Sequence, residues 1–155
     1  MGQIRIVPLS EHSHYVAPLV EMLHMEWGSL SNWSDPVVLK TVIEGRLQIH
    51  AAPLALIALD GTKFAGSVSI TRDELPHHPD KTFWIGDVIV AADQRGRGIG
   101  TLMMNAITAH AAEIGITDLY LYTPDQEAYY RKLGWQTIGR DPANGEDNVV
   151  MRYCL

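Results

Sequence analysis

The segment Gln94-Arg95-Gly96-Arg97-Gly98-Ile99-Gly100-Thr101 gathers three glycines and two arginines where an apolar, β-type run gives way to a helical pattern. Glycines let backbone N–H groups approach a ligand closely, and a helix start offers unpaired amides and the positive end of a dipole. Such a loop suits a pyrophosphate, to which Arg95 and Arg97 can add charge-assisted contacts. The same residues also fit a plain tight turn with two solvated arginines. A Walker loop is excluded because the Gly-Lys-Ser/Thr ending is missing, and a dinucleotide fingerprint because Gly96, Gly98 and Gly100 lack its spacing.

Other chemistry-bearing residues are fewer. Asp87 is an acid inside the apolar run Trp84-Ile85-Gly86-Asp87-Val88-Ile89-Val90, where most carboxylates would not sit. It suits either a proton-transfer role or a structural hydrogen bond. Tyr129 and Tyr130 are adjacent on a short helical stretch, so their side chains point about 100° apart. His77 and His78 have no further spaced ligands, and no metal site is expected. The single Cys154 cannot form an intramolecular disulfide and is expected to pack in a closing strand.

These residues must be placed by the surrounding elements. Ile4, Ile6 and Leu9 alternate with polar partners, which predicts an opening strand. A first helix runs from Pro18 to Gly28, and Asp35-Pro36 caps and starts a second, whose stripe is Leu39, Val42, Ile43 and Leu47. Residues 54–59 and 63–71 flank Asp60-Gly61 as a hairpin. A loop over 72–81 precedes a strand over 82–90. After the glycine-rich segment, Ile99, Met103, Ala106 and His110 share a helical face that Gly115 closes. Residues 119–122 read as a buried strand, and Thr123-Pro124-Asp125-Gln126 as a capping box for a short helix ending at Gly134. Strands over 135–140 and 149–153 finish the chain.

The order mixes a hairpin with parallel crossovers, so the class is α/β or α+β. The expected architecture is a mixed, mostly antiparallel central sheet of about seven strands flanked by four helices. All 155 residues fit one domain. Twelve Lys and Arg against eighteen Asp and Glu give a net charge of -6, which argues against a nucleic-acid surface and is compatible with a cationic substrate. No signal-like h-region and no long apolar run occurs, so the expectation is a soluble, cytoplasmic protein without a membrane partner.

Arg95-Gly96-Arg97-Gly98-Ile99-Gly100 resembles the pyrophosphate loop of the GCN5-related N-acetyltransferase (GNAT) superfamily, whose core pattern is Arg/Gln-x-x-Gly-x-Gly/Ala. The segment Ala128-Tyr129-Tyr130-Arg131-Lys132-Leu133-Gly134-Trp135 is similar to a later motif of that family, a Tyr ahead of a helix-ending Gly and an aromatic. The element order agrees with the family's fold over nearly the whole chain.

The resemblance implies an acetyl-CoA site. Arg95, Gly96, Arg97, Gly98, Ile99, Gly100 and Thr101 would wrap the pyrophosphate, and Val88, Ile89 and Val90 would bond pantetheine through their main chain. It also implies that Tyr130 protonates the departing thiolate, leaving Tyr129 to packing or the pocket wall. Asp87, beside the presumed thioester, is the candidate to take the proton from the amine. The turn after the fifth strand departs from the family, where many members carry an Asn that contacts the cofactor, and Gln126 is the candidate to stand in. His24, Trp27 and Trp33 fall in a region that varies among members and are candidates for substrate binding, as aromatic walls suit cationic amines.

The implied activity is acetyl transfer from acetyl-CoA to a primary amine of a small molecule, peptide or protein, by direct attack on the thioester and without a metal. The alternatives are a longer acyl donor, or a non-catalytic acyl-CoA sensor with the same fold. The closing strands leave pairing across a homodimer open.

Overall fold

The computed structural model describes residues 3–155. In chain order the elements are β1 (Ile4–Pro8), α1 (Val16–Trp27), α2 (Pro36–Glu44), β2 (Leu54–Asp60), β3 (Lys63–Arg72), β4 (Phe83–Val90), α3 (Ile99–Glu113), β5 (Asp118–Thr123), α4 (Glu127–Lys132), β6 (Gln136–Asp141) and β7 (Asn148–Cys154). The strands form one seven-stranded sheet in the order β1-β2-β3-β4-β5-β7-β6. Every neighbouring pair is antiparallel except β4 and β5. The mixed sheet and four helices are those expected.

The sheet is covered on both faces. Leu19, Leu23, Leu39 and Ile43 of α1 and α2 pack with Ala55, Ile57 and Leu59 of β2 on one face. Ile99, Met103, Ile107 and Ala111 of α3 pack with Leu54, Leu56, Val68 and Ile70 on the other. Because successive residues of a strand point to opposite faces, the nearly unbroken apolar run of β2 serves both layers. The α3 stripe therefore recurs at four-residue steps from Ile99 through Met103, Ile107 and Ala111. Ala106 and His110 are only half-buried, at the edge of the expected face.

Local signals work as the side chains dictate. Asp35 accepts the Val37 N–H at 2.9 Å, capping α2 with Pro36 in its first turn. The hairpin turn is shifted by one residue: Asp60 pairs with Lys63, so Gly61 and Thr62 make the loop and Asp60 belongs to β2. The expected capping box is also displaced. Thr123 Oγ1 accepts the N–H of Gln126 at 3.1 Å, but α4 starts only at Glu127, and Gln126 is itself the residue preceding the helix. Cys154 is exposed rather than packed, at the last position of β7. No helix among the described residues is long and apolar enough to cross a membrane.

Candidate active site

β4 and β5 meet in register at one pair alone, Trp84 with Tyr120. Trp84 is fully buried and packs near Tyr120 and Tyr122, which pins the two strands at this end. Past that pin they diverge, and the edge of β4 that faces β5 carries no further ladder. The opening is a cavity of about 340 Å³ walled by Gly86, Asp87 and Val88 of β4, by Leu121 and Tyr122 of β5, and by Tyr130 of α4. Trp27 and Trp33 close it from the α1–α2 side, and Glu74, Asp125 and Glu146 add carboxylates.

A bulge shapes the β4 wall. The β3–β4 register slips between Ser67 and Ser69, and Asp87 takes φ 50°, a left-handed conformation that side chains other than Gly seldom adopt. The twist turns Asp87 toward the α1–α2 side. There its Oδ1 accepts the Trp33 indole N–H at 2.8 Å, and its Oδ2 accepts from Arg46 at 2.7 Å. Arg46 is buried and also donates to Ser69 Oγ at 3.0 Å. Asp87 is thus held in a buried ion pair.

Tyr130 lies on the opposite wall, 8% exposed, with its ring edge-on to Tyr129 and Trp135. Its backbone is fixed by the helix end: Gly134 takes φ 99°, which lets the Trp135 N–H reach back to Tyr130 O at 3.1 Å. Burial pushes its phenol up to about 12, with Tyr129 and Asp125 adding to the shift, so the hydroxyl keeps its proton across the neutral range. Tyr129 points elsewhere, its hydroxyl 2.8 Å from Thr101 Oγ1, and so ties α4 to the first turn of α3.

The glycine loop sits at the far end of β4. Gly96 and Gly98 have φ 80° and 75°, and a Cβ built on either would meet nothing within 4 Å. Gly98 precedes α3 without any side-chain cap, and the first helical bond is Leu102 N to Gly98 O. The amides of Ile99, Gly100 and Thr101 therefore have no acceptor within the helix, as an anion site requires. Arg97 pairs with Asp60 at 3.0 Å and bonds Gln94, while Arg95 lies 3.5 Å from Glu26 and donates to Val90 O at 3.2 Å. These contacts brace the loop.

Among the expected site residues, Asp87, Val88, Gln126, Tyr130, Trp27 and Trp33 all line the cavity. His24 does not: its Nδ1 lies 2.9 Å from Trp33 O, behind the cavity wall. His77 and His78 stand 3.6 Å and 3.2 Å from the buried Asp141, joining the β3–β4 loop to the β6–β7 hairpin. Sequence reasoning missed Arg46 and Glu74. Neither carries a sequence signal, since Arg46 lies in the polar stretch Glu44-Gly45-Arg46-Leu47-Gln48 and Glu74 in a loop-like segment.

Residues 19–135 match the acetyltransferase (GNAT) family. None of the curated proteins matches the sequence significantly. An aminoglycoside 6'-acetyltransferase type Ii is 21% identical with a TM-score of 0.76, over 97% of this chain and 96% of that one. An aminoglycoside 6'-N-acetyltransferase complexed with coenzyme A is 18% identical with a TM-score of 0.74, over 97% and 96%. The yncA protein of Salmonella typhimurium, solved with its cofactor acetyl-CoA, is 16% identical with a TM-score of 0.75, over 99% and 93%.

Proposed function

The chain belongs to the GNAT acetyltransferase family, and from that premise we propose that it is an N-acetyltransferase moving the acetyl group of acetyl-CoA onto a primary amine. The observation that carries this reading is the position of Tyr130, a protonated phenol on the wall of the opening between β4 and β5. Relatives of the same fold solved with coenzyme A or acetyl-CoA support the donor.

The residues fit that donor. The capless start of α3 and the open space above Gly96 and Gly98 accommodate a pyrophosphate on backbone amides. The edge of β4 that faces β5 carries no ladder beyond Trp84, and at Val88 it offers main-chain groups to an amide-bearing arm, as an added strand would use them, while Val90 O already accepts from Arg95. Gln126, at the start of α4, lines the same opening and is placed to contact that arm. When bound, acetyl-CoA supplies an electrophilic carbonyl and a thiolate leaving group.

Tyr130 gives its proton to the departing sulfur. Its raised pKa keeps that proton in place until a thiolate forms beside it. Trp27 and Trp33 present aromatic faces to an ammonium, and Glu74, Asp125 and Glu146 set a negative potential that attracts one. The test is acetyl-CoA consumption across aminoglycosides, polyamines, amino acids and peptides. Thiol release that depends on one amine class supports the reading, and binding of acetyl-CoA without release under any amine contradicts it.

A further inference from the structure

Glu74 stands on the cavity wall, so far only as one of three carboxylates that make the cavity negative. The chain turns sharply where β3 ends: Asp73 takes φ 54° and its N–H bonds Thr82 O at 2.9 Å. That turn lays Glu74 against the middle of β4, next to Gly86. A Cβ built on Gly86 would lie 3.3 Å from Thr71 Cγ2 and 3.9 Å from Glu74 Oε1. Glu74 Oε1 thus lies beside Gly86 of β4, and both residues line the cavity.

The groups around Glu74 are Thr71 near the end of β3, Asp87 on β4, Arg46 after α2, and Tyr122 on β5. Glu146, Asp125 and Tyr130 face the same cavity from the β6–β7 connection and the α4 side. Arg46, the cation whose charge reaches Glu74, is already committed to Asp87 at 2.7 Å. Of the two carboxylates nearest the opening of β4, Asp87 is held in an ion pair and Glu74 is open to the cavity.

We propose that Glu74 accepts the proton of the acceptor ammonium, while Asp87 acts as a positioning residue that fixes Trp33 and the bulge of β4. The assignment rests on the N-acetyltransferase reading above. One N–H proton of the ammonium passes to a Glu74 carboxylate oxygen and frees the nitrogen lone pair. That pair forms the new C–N bond to the acetyl carbon as the C–S bond breaks, and sulfur keeps the bonding electrons and takes the Tyr130 proton. The nitrogen of the N-protonated amide so formed loses its second proton to solvent, and solvent also removes the proton from Glu74 and returns one to Tyr130, so the turnover yields an amide, a free thiol and one proton. Burial raises the Glu74 carboxyl above the usual carboxylate range, with Asp87 adding to the shift, and this makes it a stronger base than an exposed glutamate.

The test is kcat/KM against pH for the wild type and Glu74→Gln, using an amine that the wild type acetylates, with acetyl-CoA affinity measured by calorimetry. Glu74→Gln should lose about 10²- to 10⁴-fold in kcat/KM, abolish the acidic limb of the profile and leave acetyl-CoA affinity unchanged. Glu74→Asp should keep an acidic limb at a reduced rate. A folded Glu74→Gln that retains the wild-type acidic limb overturns the assignment of Glu74 alone. A wild type that releases no thiol with any amine overturns the N-acetyltransferase reading beneath it.

Discussion

Arg46 Nη1 lies 2.7 Å from Asp87 Oδ2, an ion pair between residues 41 apart in sequence whose side chains are 7% and 10% exposed. The pair welds the segment after α2 to the bulge of β4, so one wall of the cavity depends on it. Removing one partner of a buried pair typically costs about 3 to 5 kcal/mol, because the other charge is left without compensation. Arg46→Ala should therefore lower stability by about that amount in chemical denaturation. A loss under about 1 kcal/mol would show that water reaches the pair and that it does not hold the wall.

Gly98 takes φ 75° immediately before α3, so a β-branched side chain there is strained by about 1 to 3 kcal/mol and also projects into the space above the loop. Gly98→Val should remain folded while losing measurable acetyl-CoA binding in calorimetry. Normal affinity in the folded variant would move the pyrophosphate away from the 95–101 loop.

Glu74 yields a prediction about stability that is separate from rate. Its folded pKa is raised by burial, so below the ordinary carboxylate value both states are protonated and the group costs nothing. As pH rises through the folded pKa, the ionised carboxylate destabilises the fold. Glu74→Gln is neutral throughout, so its Tm should exceed the wild-type Tm at pH 7, and the difference should shrink toward zero near about pH 4. A variant less stable than the wild type at pH 7 would mean that Glu74 is satisfied by a partner in the folded state.

The parts of the site legible in the sequence are those built from neighbours along the chain. Gly96, Gly98 and the helical stripe beginning at Ile99 announce a loop that opens a helix, and Gly134-Trp135 announces the helix end that fixes Tyr130. The Asp35-Pro36 cap is equally local. What the sequence conceals is assembled across the fold. Trp33 and Asp87 are 54 residues apart, and Arg46 reaches Asp87 and Ser69 only because the sheet brings three segments together. Glu74 sits in a stretch rich in Pro and His that reads as an exposed loop. Its burial depends on the left-handed turn at Asp73 and on Gly86 beside it, features of backbone geometry rather than residue pattern. The shift of the hairpin by one residue has a similar origin, since Asp60 completes β2 and meets Arg97 of the glycine loop.

Tyr129 and Tyr130 differ in surroundings although they are adjacent. Tyr129 bonds the Thr101 hydroxyl at 2.8 Å, whereas Tyr130 lines the cavity. Loss of one hydrogen bond costs about 0.5 to 1.5 kcal/mol, so Tyr129→Phe should show a small drop in Tm with kcat within about threefold of wild type. A larger loss of kcat than for Tyr130→Phe would exchange the two assignments.

The pre-steady-state rate of thiol release from acetyl-CoA, with a saturating amine acceptor, compared between the wild type and Tyr130→Phe, tests the central claim most directly. The substitution keeps the ring against Tyr129 and Trp135 and removes only the hydroxyl of a residue on the wall of the opening between β4 and β5. General-acid assistance is worth about 10² to 10⁴ in rate, so the chemical step should slow by that factor while acetyl-CoA affinity stays near wild type. Because burial holds the Tyr130 phenol at about 12, the wild-type rate should show no basic limb from this group below about pH 11. A Tyr130→Phe enzyme that releases thiol at the wild-type rate under these conditions would contradict the account.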